Sequence, residues 1–324
     1  MLRRSFLLTA LATTIVPRAA VAQPAGKVYR IGFLGGGTAV GYAPHVAGLR
    51  LGLRDHGYVE GKNVTLEFRW ADGKYDRLPD LARELIRRNV DIIVTQGTPA
   101  AFAAKSATTT IPVVMTIVGN PDDTGLVASL SRPGANVTGS SFFMAELNAK
   151  RLEIVKTALP RLTRVAVFTN PGNPAMSSVM RAMEEVATPL KIKLSRLELR
   201  SADDFEGAIT TAKAQVDALS LIDDGLFVSN AHRLAELSLK HQLPGIGFTE
   251  YAEAGGLLAY GVDFPHVWRQ SMALVDKVFK GAKAGDLPVM QATRFEVIVN
   301  LKTARALGLT IPTALLTRAD RAIE

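Results

Sequence analysis

The sequence predicts an α/β protein of two Rossmann-like lobes, each built on a parallel sheet, with a ligand cleft between them. Three observations carry this prediction. Strand-like apolar runs alternate with helical periodicity along almost the whole chain after residue 27. The alternation then restarts halfway. With 324 residues, 48% of them hydrophobic and 21% charged, the chain can bury about two cores of ordinary size.

In the first half, Ile31–Leu34 is an apolar run, and Val46, Leu49 and Leu53 follow at helical spacing as far as Gly57, a stop signal. Val64–Phe68 alternates as a strand. Asp76 is placed to cap a helix whose Leu78, Leu81, Leu85 and Ile86 share one face. Asp91–Thr95 reads as a buried strand, Pro99–Ser106 as a helix and Pro112–Val118 as the next strand. This is the βαβ alternation that gives a parallel sheet covered by helices on both faces.

The second half repeats the pattern. Leu152–Leu159 is helical, Val165–Thr169 a strand, Met176–Leu190 a helix, and Ile192–Leu197 alternates again. Val90-Asp91-Ile-Ile-Val-Thr-Gln-Gly is echoed by Val216-Asp217-Ala-Leu-Ser-Leu-Ile-Asp. Ile111-Pro112 and Leu243-Pro244 each open a strand, and Asn136–Gly139 corresponds in position to Leu258–Gly261. A duplication at so long a period means two similar lobes rather than a solenoid. No Pro/Ser-rich linker separates them, so short hinges are expected near Phe142–Leu147 and Val262–Pro265.

The absence of cysteine excludes disulfides, thiolate metal sites, cysteine nucleophiles and a lipid-bearing N-terminal cysteine. The formal charge of +8 is partly local, because Arg3, Arg4 and Arg18 fall in the first 22 residues with no acid. The remainder holds 35 basic and 30 acidic residues, a mild +5 without the long like-charge run of a nucleic-acid stripe. Those first 22 residues have a basic start, an apolar stretch from Phe6 to Val16, and Ala20-Val21-Ala22 as a small-residue cleavage site. The stretch is too short for a bilayer, which needs about 20 residues. Residues 1–22 are therefore expected to be a cleaved signal peptide, and Arg3-Arg4-x-Phe6-Leu7 resembles a twin-arginine signal. The expected product is a soluble, unanchored periplasmic protein.

Ligands of open parallel sheets sit beyond the carboxyl ends of the strands. Gly35-Gly36-Gly37-Thr38 follows the first strand, but Val40 stands where a dinucleotide fingerprint needs its third glycine. Gln96-Gly97-Thr98-Pro99 follows the third, where Thr98 would cap a helix whose exposed amides also favour an anion. In the second lobe, Asn170-Pro-Gly-Asn173-Pro174 and Asp223-Asp224-Gly225 hold the equivalent places. The two aspartates either shape a turn or hold an ammonium group. An anion site facing a cation site would suit a zwitterion such as an amino acid. Tyr42, Phe142, Phe143, Phe227 and Tyr251 lie near loop ends where they could line the cleft.

No catalytic constellation emerges. His45, His56, His232, His241 and His266 show no metal-ligand spacing, and neither a Gly-x-Ser-x-Gly elbow nor a Walker loop occurs. We therefore expect a protein that is not an enzyme, with no metal and no cofactor.

Tyr29-Arg-Ile-Gly-Phe-Leu, Gly57-Tyr-Val-Glu-Gly-Lys-Asn-Val, Gly97-Thr-Pro-Ala-Ala, Ser131-Arg-Pro-Gly-Ala-Asn-Val-Thr-Gly, Glu253-Ala-Gly-Gly-Leu and the stretch from Phe295 to Leu309 together resemble the ABC-transporter substrate-binding family. Its members include binders of tryptophan and other aromatic amino acids. The resemblance covers Lys27 to Glu324. It implies a type I periplasmic-binding-protein fold that closes by a hinge on a small molecule, an amino acid or related organic acid, and delivers it to an inner-membrane ABC permease. It further implies three crossings between the lobes. The N-terminal lobe would comprise residues 28–143 plus 265–291, and the C-terminal lobe residues 144–264 plus 292–324. The cleft loops of the family fall here on Thr38, Gln96, Thr98, Asn120, Asn170, Asp224 and Thr249. A monomer without nucleic-acid partners is expected. The same fold also suits a periplasmic module that presents its ligand to a membrane sensor; a neighbouring permease gene would favour transport, and a neighbouring sensor kinase gene would favour signalling.

Overall fold

The computed structural model describes residues 27–324, so the expected signal peptide lies outside the described residues. Among those described, no helix is long and apolar enough to cross a membrane.

The chain begins β1 (Tyr29–Gly35), α1 (Ala43–Asp55), β2 (Val64–Trp70), α2 (Leu78–Arg87), β3 (Ile92–Gln96), α3 (Thr98–Ala107), β4 (Val113–Gly119) and β5 (Val137–Phe142). It continues α4 (Met144–Ala158), β6 (Arg164–Thr169), α5 (Met176–Ala187), β7 (Lys193–Glu198), α6 (Asp204–Lys213) and β8 (Ala218–Leu221). Next come α7 (Gly225–Ser229), α8 (Ala231–Lys240), β9 (Gly245–Gly247), α9 (Thr249–Glu253) and β10 (Leu258–Val262). The chain closes with α10 (Phe264–Phe279), β11 (Met290–Gln291), β12 (Phe295–Asn300), two short helices α11 (Leu301–Ala306) and α12 (Thr313–Leu316), and β13 (Arg321–Ile323).

Two sheets result. One has the order β11-β5-β4-β3-β1-β2 and the other β13-β12-β10-β9-β8-β6-β7. The five strands β2-β1-β3-β4-β5 of the first map onto β7-β6-β8-β9-β10 of the second, so the duplication extends to strand order. The pairings within each set of five are parallel; β12 runs antiparallel to β10, and β13 runs parallel to β12. Burial follows position: β3, β4 and β8 are buried along their whole length, whereas β2 and β7, at sheet edges, are largely half-exposed. A strand covered on both faces needs an unbroken apolar run, and an edge strand does not.

The duplicated aspartates have a structural task. Asp91 Oδ2 accepts from the backbone N–H of Arg30 at 2.7 Å, and Asp217 Oδ2 accepts from that of Arg164 at 2.9 Å. Each thereby ties the entry of β3 or β8 to the first turn of chain in the neighbouring strand.

The chain passes from the first sheet to the second between β5 and α4, returns between β10 and α10, and passes again between β11 and β12. The first connection is shorter than the hinge expected over Phe142–Leu147. Only Phe143 separates β5 from α4, because Asn120 Oδ1 accepts from Ala145 N at 3.1 Å and Phe143 O from Leu147 N at 2.8 Å, winding those residues into the helix. The second connection is Asp263, whose carboxylate caps α10 through His266 N. On return, α10 packs on α1 at glycines: a Cβ on Gly48 would stand 2.3 Å from Pro265 O, and one on Gly52 2.3 Å from Arg269 O. Glycine at i and i+4 lets the two backbones approach where any side chain would collide.

Two expected caps do not form. Asp76 lies in a 3-10 turn over Tyr75–Arg77, and α2 starts at Leu78 with Pro79 in its first turn and no side-chain cap. Thr98 is itself the first residue of α3. The N-cap is Gly97, with φ of 82°, a left-handed value that glycine adopts at little cost.

Candidate functional site

In an open sheet of order 2-1-3-4-5, the switch point lies between the first and third strands, where the following loops diverge. Here that rule selects the loops after β1 and β3 in one sheet and after β6 and β8 in the other. The two sets face each other across a cavity of about 30 Å3, which leaves room for about one or two waters.

From the first sheet, Gln96 at the end of β3 braces the glycine loop after β1. Its Oε1 accepts from Gly36 N and Gly37 N at 3.0 and 3.3 Å, and its Nε2 donates to Tyr42 Oη at 2.9 Å. Gln96 faces the cavity with its oxygen shared between two backbone amides and one of its two amide N–H donors given to Tyr42. Next to it the α3 N-terminus opens onto the same space through Gly97, Thr98 and Pro99. The N–H of Gly97 is bonded to Ile117 O. The N–H groups of Thr98 and Ala100 belong to the first helical turn, which has no intrahelical acceptor, and the helix dipole adds positive potential there.

From the second sheet comes Asp224, 3% exposed. Its Oδ1 accepts from Tyr75 Oη at 2.7 Å, Leu226 N at 3.0 Å and Asn170 Nδ2 at 3.2 Å, and its Oδ2 accepts from Asn173 Nδ2 at 2.9 Å. Turn and carboxylate roles coincide, since the same side chain caps the short helix α7. Burial raises the carboxyl pKa, and the four donors only partly oppose it. Burial, then the adjacent Asp224, pushes the Tyr75 phenol well above its ordinary value, so it stays a neutral donor.

Asp223 is different, although it precedes Asp224 directly. Arg151 Nη1 meets its Oδ2 at 2.7 Å and Arg151 Nη2 its Oδ1 at 3.1 Å, while Arg151 Nε donates to Tyr260 O at 2.9 Å. The acidic pair therefore does not act as a unit. One carboxylate ties α4 to β8, and no cation among the described residues is paired with the other.

Of the residues expected in the cleft, Gln96, Thr98 and Asp224 line the cavity, and Asn170 reaches it through Asp224. Three are engaged elsewhere. Thr38 accepts from Gly41 N through its hydroxyl and donates its own N–H to Ser229 Oγ; Asn120 accepts from Ala145 N; Thr249 Oγ1 faces Val262 O at 3.5 Å. Among the aromatics, Tyr42 and Phe142 line the cavity, Phe227 and Tyr251 are buried in the second-sheet core, and Phe143 is 38% exposed. Asn173, from the Asn170–Pro174 loop, also lines it, as do Tyr75, Met144 and Phe264, which lie outside the strand-end loops the sequence singles out. Tyr75 carries no positional signal in the sequence, because it belongs to none of those loops.

The lobes stand closed on one another. Besides the bond from Tyr75 to Asp224, Thr38 N donates to Ser229 Oγ at 2.9 Å, and His45 Nε2 lies 3.1 Å from Glu250 Oε1. The walls are largely apolar, with Ile117, Val118, Met144, Val228 and Phe264 contributing. No group of three or more metal-ligating side chains gathers among the described residues.

Residues 41–323 match the family described as ABC transporter substrate binding protein. A tyrosine-binding protein of Clostridioides difficile is 29% identical over 258 residues, 79% of this chain and 74% of that protein. The crystal structure of a conserved domain protein from Vibrio cholerae superposes with a TM-score of 0.86 at 29% identity, covering 91% of this chain and all of that one. The ABC domain of Streptococcus pneumonia in complex with L-Trp shares the fold at 24% identity, with a TM-score of 0.84 over 91% of this chain and 99% of that one.

Proposed function

Because the chain belongs to the ABC transporter substrate-binding protein family, we propose that it captures an amino acid with an aromatic side chain between its lobes and passes it to a membrane permease. The observation that carries this reading is Asp224, a buried carboxylate with no cation partner, set across a cavity from the free amides of the α3 N-terminus. A buried charge without a counter-ion is costly unless a ligand supplies one. The ammonium of an amino acid would do so, while its carboxylate would meet Thr98 and the helix end. The apolar wall of Ile117, Val118, Phe142 and Phe264 supports an apolar side chain. A tyrosine-binding relative and a tryptophan-bound neighbour of the same fold favour the aromatic class.

Site assignments follow from that reading: Asp224 for the ammonium, Thr98 for the carboxylate, and Gln96 and Asn170 as braces. Export by the segment 1–22 would place the protein in the periplasm, where it would work as a monomer. The experiment is a thermal-shift and calorimetric series with L-tyrosine, L-tryptophan and 3-phenylpropionate. Ligand at a thousand times its Kd adds about 4 kcal/mol of stability. Binding of the amino acids but not of the deaminated acid is expected; equal binding of 3-phenylpropionate would overturn the ammonium assignment.

A further inference from the structure

The cavity beside Asp224 is too small for any amino acid, so something must move when one enters. Immediately outside lies a groove of about 580 Å3, walled by Leu78, Pro79 and Phe102 of the first lobe and Gly172 and Pro174 of the second. Tyr75 and Pro99 border both spaces. Of the two, Pro99 is fixed in the first turn of α3, whereas Tyr75 is a side chain on a short 3-10 turn.

Three glycines approach the Tyr75 ring. A Cβ on Gly36 would stand 2.9 Å from Tyr75 Cε1, one on Gly172 3.2 Å from Cδ2, and one on Gly225 3.1 Å from the hydroxyl. These three glycines come from both lobes and leave space for the ring at both of its edges and at its hydroxyl, while the ring also packs against the first-lobe cluster that includes Ala71 and Leu78. The phenol donates to Asp224 at 2.7 Å. An aromatic ring carrying a donor that meets this carboxylate is what the proposed ligand would also bring.

We infer that Tyr75 is a built-in stand-in for the ligand: its hydroxyl holds the place on Asp224 that the ligand ammonium takes, and binding turns its ring out toward the Leu78–Phe102 groove. The inference rests on the amino-acid reading given above. It makes Tyr75 a specificity-determining residue, since a ligand must offer Asp224 more than a neutral phenol does. An ammonium does so, because it brings a full opposite charge to a buried carboxylate that the phenol meets only with a bond dipole. A neutral alcohol or amide of the same shape does not.

The alternative is that hinge opening alone makes room and that Tyr75 recloses over the ligand as a latch. The two differ in sign. If Tyr75 competes, Tyr75→Phe removes the competing bond and tightens binding of L-tyrosine and L-tryptophan by roughly tenfold. If Tyr75 latches, the same change weakens binding. The experiment is calorimetric titration of both amino acids into the wild-type protein, Tyr75→Phe, Tyr75→Leu and Asp224→Asn, with each fold checked by circular dichroism. Tighter binding by Tyr75→Phe and Tyr75→Leu supports the stand-in. Unchanged or weaker binding by both overturns it while leaving the amino-acid reading intact, provided the wild type binds and Asp224→Asn does not. If the wild type binds neither amino acid, both readings fall together.

Discussion

Arg151 and Asp223 form a two-pronged ion pair beneath the cleft, with Nη1–Oδ2 at 2.7 Å and Nη2–Oδ1 at 3.1 Å and both side chains all but sealed from solvent. The guanidinium also donates to the carbonyls of Leu221 and Tyr260, so one side chain of α4 organises the end of β8 and the middle of β10. Removing it leaves Asp223 buried and uncompensated. Arg151→Met should cost about 3–5 kcal/mol, read as a lower urea midpoint. A midpoint within error of the wild type would show that water or a rearranged donor replaces the arginine.

Asp224 should behave in the opposite way. In Asp224→Asn an amide oxygen at the Oδ1 position keeps the three donors that converge there, from Tyr75, Asn170 and Leu226. Burial holds the carboxyl pKa above its ordinary value, so the folded state keeps a proton that the unfolded chain has lost. Stability from this group is therefore fully present below the unfolded pKa of about 4 and is lost as pH rises through the folded value. The amide carries no such cost. Asp224→Asn should gain relative to the wild type between pH 4 and pH 8 in urea melts, while affinity for L-tyrosine falls by two orders of magnitude or more, the scale of an unpaired buried ammonium. A stability difference that stays flat with pH would mean that the carboxyl titrates alike in the folded and unfolded chain, so that burial does not raise its pKa.

This contrast between neighbours explains how far the sequence could be read. The βαβ alternation, its restart and the positions of Gln96, Thr98, Asn170 and Asp224 at strand ends follow from apolar periodicity and from where parallel sheets expose their loops, whereas the strand order does not. Nothing local distinguishes Asp223 from Asp224. They differ because Arg151 arrives from 72 residues away. Tyr75 has no local signature for the same reason: its partner stands 149 residues along the chain, in the other lobe. Conversely, Asn120 and Thr38 sit at strand ends but spend their side chains on nearby amides. Position fixes which loops face the cleft, whereas tertiary partners decide which side chains are left over for a ligand.

The echoed aspartates carry their own prediction. Burial works against the charge of Asp217, but bonds from the Arg164 guanidinium and from the N–H groups of Thr163 and Arg164 outweigh it and hold the carboxyl at about 2. A depressed acid stabilises the fold above its unfolded pKa and loses that contribution as pH falls through the folded value. Asp217→Asn should therefore cost about 1–2 kcal/mol at pH 7 and less at pH 3, where the unfolded chain is already protonated. Urea midpoints at the two pH values test this. An equal gap at both would assign the effect to hydrogen-bond geometry rather than charge.

Two glycine-to-alanine changes should have opposite signs, because only one of the glycines is there for packing. Gly207 lies exposed inside α6, where a Cβ would meet nothing within 4 Å, so Gly207→Ala gains helix propensity of about 0.5–1 kcal/mol without a clash. Gly48 gains the same propensity in α1, but its Cβ would stand 2.3 Å from Pro265 O, and a backbone carbonyl cannot rotate aside. The helix α10 would have to shift, at the cost of about 1–3 kcal/mol typical of an overpacked core. Because α10 begins one residue after the β10 crossing, that shift should also alter closure. Gly48→Ala is expected to lower the melting temperature and expand the unliganded protein in small-angle scattering, whereas Gly207→Ala should raise the melting temperature and leave the scattering profile unchanged. A neutral Gly48→Ala would show that the α1–α10 contact can slide, and with it that the glycines are not what sets the distance between the two helices.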